Sequence, residues 1–336
     1  MKCSVFALLV SLMLTSAAPA TSRPGYHIIK TWKLGGEGGW DYLIIDPDAR
    51  RLYISRAVKV MVIDADSGRL VGAISDTPGV HGIALAPEMG KGFVSNGREN
   101  TVSVFDLKTL NTIQKIKVGD GPDAILYDPA TKRVFTFNAR SQDATAIDAD
   151  KASVVGTIPL GSKPEFAQSD AMGTIFVNME DKNSLYALDP TKLTVKSRWA
   201  LPGCESPTGL AIDRAHRRLF SGCDKIMAIT DADSGQEVAN VPVGDGVDAT
   251  SYDDETGLAF ASAGEGKLTV VQSEGGDHYR VAEEVDTQRG ARTMALDRKT
   301  HNLYLVTARF GPPPAPTAQN RPSILPDSFV VLVVGK

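Results

Sequence analysis

The sequence predicts an all-β fold, a seven-bladed β-propeller of four-stranded antiparallel blades, and two observations predict it. The first is the patterning of residues Pro122 to Leu160. An apolar run, Ala124-Ile125-Leu126-Tyr127, stops at the turn Asp128-Pro129, and Val134-Phe135-Thr136-Phe137 follows, closed by Asn138. Ala144-Thr145-Ala146-Ile147 ends at Asp148, and a fourth run spans Val154 to Leu160. All four runs are strand-length, rich in β-branched or aromatic residues, and bounded by Asp, Asn, Gly or Pro. The second observation is recurrence. The residue closing the first run falls at Asp46, Ala86, Asp128, Asp170, Asp213, Asp253 and Asp297, at spacings of 40, 42, 42, 43, 40 and 44 residues. The residue closing the third run falls at Asp64, Asp106, Asp148, Asp189 and Asp231, at spacings of 42, 42, 41 and 42. Four strands repeated at this period are the signature of a propeller.

The units run in order along residues 21–336 as one domain. Unit one spans Trp40 to Ile74, unit two His81 to Val118, and unit three is the template. Unit four spans Pro164 to Leu201 and unit five Pro207 to Val243. Unit six, Val247 to Val285, departs most, because its third run ends at Gln272 and not at an Asp. Unit seven, Arg292 to Val334, has three strands before the chain stops. Tyr26 to Leu34 resembles only a fourth strand, so residues 26–34 are expected to complete the last blade and close the ring, leaving no unpaired edge. Unit seven also carries an insertion, 309–327, with six prolines; it should be extended and stiff, and it lies on the rim.

Residues 1–20 read as a cleaved secretory signal peptide: Lys2, an apolar core from Val5 to Leu14, then Ala18-Pro19-Ala20 as an exit. That core is too short to span a bilayer, and no transmembrane segment is expected after cleavage. Export to the periplasm or beyond follows, and Cys3 would leave with the leader. The bulk composition fits a soluble globular protein, with 36 basic and 40 acidic residues and a net charge of −4. No basic patch interleaved with aromatics stands out, so charge gives nucleic-acid binding little support.

The units resemble the YVTN-type (YncE-like) exported β-propeller repeat family. The residues that carry the likeness are Pro122-Asp123-Ala124, Asp128-Pro129 and Val134 to Asn138 in unit three. Pro207-Thr208-Gly209, Asp213 and Leu219-Phe220-Ser221-Gly222 repeat them in unit five, and His81-Gly82, Pro87 and Phe93-Val94-Ser95-Asn96 in unit two. Gly222 and Ala263 stand where the pattern has Asn. The likeness covers nearly all of 26–336 and implies a seven-bladed exported propeller. It implies no single activity, because propellers host many functions.

In a four-stranded blade, the loop entering strand one and the loop joining strands two and three share a face. The residues five before each first-strand marker are Asp41, His81, Asp123, Glu165, Thr208, Asp248 and Arg292. Each is expected to begin an innermost strand, so all seven should ring the mouth of the central channel. Carboxylates crowded there would have raised pKa values unless a cation compensates. A divalent metal ion is one such cation: Ca²⁺ or Mg²⁺ on the oxygens, or a transition metal on His81 with two of Asp41, Asp123, Glu165 and Asp248. The plain alternative is that these side chains only cap strand ends and seal the axis. Asn96, Asn138 and Asn178, at the ends of second strands, are expected to make local Asx-type turns. His27, His216, His278 and His301 show no acidic partner at a telling spacing. Asp64-Ala65-Asp66-Ser67-Gly68 and its copy at Asp231 read as hairpin turns rather than calcium loops.

Cys204 and Cys223 fall in two loops of unit five on the same face, and an oxidising compartment favours a disulfide between them. A metal pair or two free thiols are the alternatives. Taken together, the sequence points to a monomeric binding or scaffold protein that engages a small molecule or a protein partner at the funnel. The alternative is a metal-dependent hydrolase of lactonase type on the same ring, with Arg292 neutralising a substrate anion.

Overall fold

The computed structural model describes residues 25–312 and 323–336, which leaves the leader and the middle of the insertion outside the described residues. The chain forms seven four-stranded antiparallel sheets, each strand paired with its neighbour in sequence. The exception is the closure: His27–Lys33 adds as the outer strand to Val330–Gly335, which pairs with Asn302–Thr307, itself paired with Met294–Asp297. Both chain ends therefore build one blade, and the ring has no open edge. Among the described residues no helix is long and apolar enough to cross a membrane.

The burial pattern explains why these runs become strands. The second and third strands are apolar on both faces because blades pack face to face. Arg133–Asn138, for instance, is buried from its second residue onward. The outermost strands alternate or are largely exposed, as Thr194–Ala200 shows. Seven apolar clusters fill the seven spaces between blades. One joins Tyr53, Val62 and Ile74 to Val94 and Phe105 across blades one and two, and another joins Leu43 and Ile54 to Tyr304 and Val331 across blades one and seven.

In blades three to seven the Asp that closes the first strand has a second job. Buried on the face opposite the ring, it accepts a bond from the next blade: Ser169 Oγ to Asp128 at 2.6 Å, and Tyr252 Oη to Asp213 at 2.7 Å. Arg217 pairs with Asp170 at 3.3 Å, His301 with Asp253 at 2.8 Å, and Arg50 of blade one with Asp297 of blade seven at 2.6 Å. Two of the histidines expected to lack an acidic partner therefore have one: His216 sits 2.7 Å from Asp213, three positions before it. His301 finds its partner one blade away, where spacing along the chain carries no signal.

Other expectations need correction. The ring residues do not all begin a strand. His81, Asp123, Glu165 and Asp248 lie within Val80–Ala86, Pro122–Asp128, Pro164–Ser169 and Val247–Asp253. Asp41, Thr208 and Arg292 precede Leu43–Asp46, Leu210–Asp213 and Met294–Asp297 by two residues. The difference is an extra bridge beyond a bulge, such as Pro122 to Asn138, which the three shorter strands lack. The Asn residues that end second strands do not make Asx turns. Asn96 Nδ2 donates to Thr101 and Ser103, and Asn178 Nδ2 donates to the Thr208 and Gly209 carbonyls of the next blade. Burial demands partners, and the following strand is closer than the loop backbone. In blade six the third strand continues through Gln272 to Gly275, because His278–Asp286 pairs along its whole length. The turn at Asp64 is as expected: Ser67 N donates to its carboxylate at 2.8 Å, and Gly68 takes a φ of 71°. Of the insertion, the described ends form a ribbon, with Phe310 bridged to Ile324 and Gly311 N donating to Ser323 O at 2.8 Å.

Candidate functional site: an acidic ring at the propeller axis

The chain before Asp41 is fixed by a buried arginine. Arg56, at the end of Arg51–Arg56, is 2% exposed and lies 3.8 Å over the Phe329 ring. Its guanidinium donates to the Gly38 and Glu37 carbonyls at 2.9 and 3.0 Å. Among the described residues no carboxylate offsets its burial, which pushes its pKa down to about 10. Asp41 is then held by its own backbone, which donates to Ser55 Oγ at 2.9 Å and accepts from Thr293 Oγ1 at 2.9 Å. His81 and Asp123 are carried by the equivalent starts of blades two and three.

These three side chains meet. His81 Nδ1 is hydrogen-bonded to Asp41 Oδ2 at 2.6 Å, and Asp123 Oδ1 lies 3.6 Å away as a second negative charge. One ligand atom from each lies within 4.8 Å of the others, a separation that one metal ion spans. Glu165 lies against Lys163 at 2.8 Å, and the Tyr42 hydroxyl points to it at 3.5 Å. Lys163 also holds Glu180, from the loop after the second strand of blade four. Asp248 pairs with Arg292 Nε at 3.1 Å. Thr208 stands apart in role: its hydroxyl donates to the Val247 carbonyl at 2.8 Å and ties two strand starts together.

The electrostatics show a site short of positive charge. Burial lifts the Asp123 carboxyl to about 6, with Asp41 and Glu180 adding to the effect and His81 and Lys163 opposing it. Asp248 is also lifted to about 6 by burial, against Arg292 and with Asp41 and Asp123. Glu165 goes furthest, to about 8, through burial and then the charge of Asp123, which together outweigh Lys163. For His81, burial works against the imidazolium, yet the Asp41 hydrogen bond and the charges of Asp123, Asp41 and Glu165 win and raise its pKa. Tyr42 is held neutral far above its ordinary range, by burial first and then by Asp123, Glu165, Asp248 and Asp41. Contacts between blades bring these groups together: His81 meets Asp41 and Asp123, Tyr42 of blade one reaches Glu165 of blade four, and Arg292 of blade seven pairs with Asp248 of blade six.

Tyr42 and Phe166, with ring centroids 5.2 Å apart, form the floor of the funnel. They line a cavity of about 340 Å³ together with aliphatic side chains such as Ile44, Leu85 and Leu126 and polar ones such as Gln168 and Arg298. Sequence periodicity missed Tyr42, Lys163 and Glu180, since none stands at the repeated position. A search of the same-face loops for charges flanking Glu165 was the available signal for the last two.

On the same face of blade five, Cys204 and Cys223 are disulfide-bonded, with Cα atoms 5.3 Å apart.

The fold is shared by distant proteins of known structure. The chain is similar to Kuenenia stuttgartiensis hydrazine synthase over 87% of its own length and 95% of that chain, with a TM-score of 0.71 and 16% identity. It is similar to the WD40 repeats of RRP9 over 95% of its length and 99% of theirs, with a TM-score of 0.76 and 10% identity. For U3-55K the shares are 94% and 99%, the TM-score 0.75 and the identity 10%. No protein-family model and no curated protein matches the chain. At such identities the likeness establishes a propeller and says nothing of chemistry.

Proposed function

We propose that this protein is an exported binding protein of the repeat-propeller type, whose axial funnel holds a divalent cation and, through it or beside it, a small ligand or partner. The observation that carries the reading is the convergence of Asp41, His81 and Asp123 within 4.8 Å, inside a ring whose other carboxyls are short of counter-charge. One nitrogen and two carboxylates suit zinc or a first-row transition ion better than calcium, which prefers oxygen alone. A cation there would replace the His81 proton and lower the pKa values of its neighbours. Export draws support from the disulfide, which oxidising compartments preserve.

The test is elemental analysis of the purified chain, followed by chelation and calorimetric titration with Zn²⁺ and Mn²⁺. One ion per chain, bound saturably and lost in His81→Ala and Asp123→Asn, is the expected result. A chain that takes up neither ion, with unfolding unaffected by EDTA, would remove the reading.

A second reading, a metal-dependent hydrolase, is favoured by one feature. Glu165 is lifted to about 8 beside the three candidate ligands, so its carboxyl can give and take a proton near neutral pH. Ester or lactone turnover that requires the ion and disappears in Glu165→Gln would support it; ion binding without turnover would leave the binding protein.

A further inference from the structure

A second cavity, of about 420 Å³, opens on the same face between the loop entering blade one and the loop between blades six and seven. Its walls carry two guanidinium groups, Arg289 and Arg292, and three apolar side chains, Trp40, Phe310 and Ile324. Carboxylates are absent from its lining among the described residues. Its sign is therefore the reverse of the acidic ring beside it.

The wall is built with little freedom. The backbone around Arg289 is fixed by Gly290 N donating to Gly264 O at 2.8 Å and by Thr307 Oγ1 donating to Arg289 O at 2.7 Å. Gln288 Nε2 adds a bond to Ala308 O at 3.0 Å. Gly290 has a φ of 84°, and a Cβ on it would sit 2.7 Å from Phe310, so only glycine lets that ring lie where it does. Phe310 in turn is 6.1 Å from Trp40 between ring centroids and 5.9 Å from the Arg289 guanidinium carbon. Among the described residues the Arg289 head group has no hydrogen bond or ion pair. Arg292 uses Nε on Asp248 and leaves its terminal nitrogens without a partner there.

Unpaired guanidinium groups in a fixed fork select flat, bidentate anions, and aromatic walls select an apolar body. The volume is that of an ordinary small-molecule site. We propose that this cavity binds a small organic carboxylate with an aromatic body, the carboxylate on Arg289 and Arg292 and the body against the wall formed by Trp40 and Phe310. The reading stands without a cation in the funnel, so its test is run in EDTA.

The full chain is titrated calorimetrically in EDTA with benzoate, with benzamide as the neutral analogue, and with inorganic phosphate as an anion lacking the body. Saturable one-site binding of benzoate is expected, roughly tenfold or more tighter than that of benzamide or phosphate. Arg289→Gln should weaken benzoate by roughly tenfold, with Arg289→Lys between the two, because a lysine keeps the charge and loses the fork. Phe310→Leu supplies an independent variant and should weaken benzoate while leaving phosphate unchanged. No saturable heat with benzoate, equal binding of benzamide or phosphate, or affinity unmoved by all three substitutions would overturn the proposal.

Discussion

His81 Nδ1 lies 2.6 Å from Asp41 Oδ2, although the two residues are 40 positions apart and sit in different blades. With Asp123 opposite, the imidazole is enclosed by acids on two sides. Its protonated form is therefore favoured beyond the ordinary value of 6.5 despite burial. The raised His81 pKa contributes stability that is present below the unfolded value and fades as the pH rises through the folded one. An NMR titration of the metal-free protein should place His81 above 6.5, and Asp41→Asn should bring it down. A wild-type value at or below 6.5 would contradict the arrangement.

Glu165 gives the opposite sign. The unfolded chain ionises it near 4.5, whereas the native state keeps its proton to about 8. Between those values unfolding releases a proton, so this group costs stability as the pH rises. Glu165→Gln removes the cost. Its stability advantage over the wild type, read from denaturant titrations, should grow from pH 4.5 and level off beyond about 8. A constant difference across that range would show that the carboxyl is ionised in the native state.

The contact between Arg50 and Asp297 joins the first blade to the last on the face away from the ring. Asp297 is fully buried, so its charge depends on its donors. Arg50→Met should destabilise the chain by about 2 kcal/mol, the scale for losing a bond to a buried charge. Little of that effect should vary with salt, because the lost partner is shielded from solvent. The exposed arm of the same arginine, to Asp66, contributes little of it.

Cys204 and Cys223 are separated by 19 residues, and both are buried in the cluster between blades four and five. Replacing both with serine should cost about 3 kcal/mol, chiefly by freeing the unfolded chain. Thermal unfolding of the double variant, compared with the wild type under reducing and oxidising conditions, measures this. A wild type insensitive to reductant and equal to the variant would count against a structural bond.

The architecture was written in the spacing of Asp46 to Asp297, because identical registers must place identical strands, and that requirement survives sequence divergence. The same offset from each marker named Asp41, His81 and Asp123, whose side chains meet. It failed where a side chain acts outside the register. Tyr42 stands one residue past the repeated position, where only Phe166 of blade four is also aromatic, and Lys163 with Glu180 comes from loops. It also failed for partners one blade away: His301 and Asp253 are 48 positions apart, and Asn178 reaches Thr208 across 30. Local spacing rules address hairpins and turns, whereas propeller blades exchange bonds between neighbours in space. The leader at 1–20 and the centre of the insertion at 313–322 lie outside the described residues.

The central claim is that blades one, two and three present a cation site at the axis. Crystals soaked in Mn²⁺ and measured for anomalous scattering test it most directly. The account predicts a single strong peak among Asp41 Oδ2, His81 Nδ1 and Asp123 Oδ1, about 2.0–2.3 Å from each, and absent in His81→Ala. Soaked crystals with no peak at the axis, or with manganese only at surface carboxylates elsewhere, would contradict it.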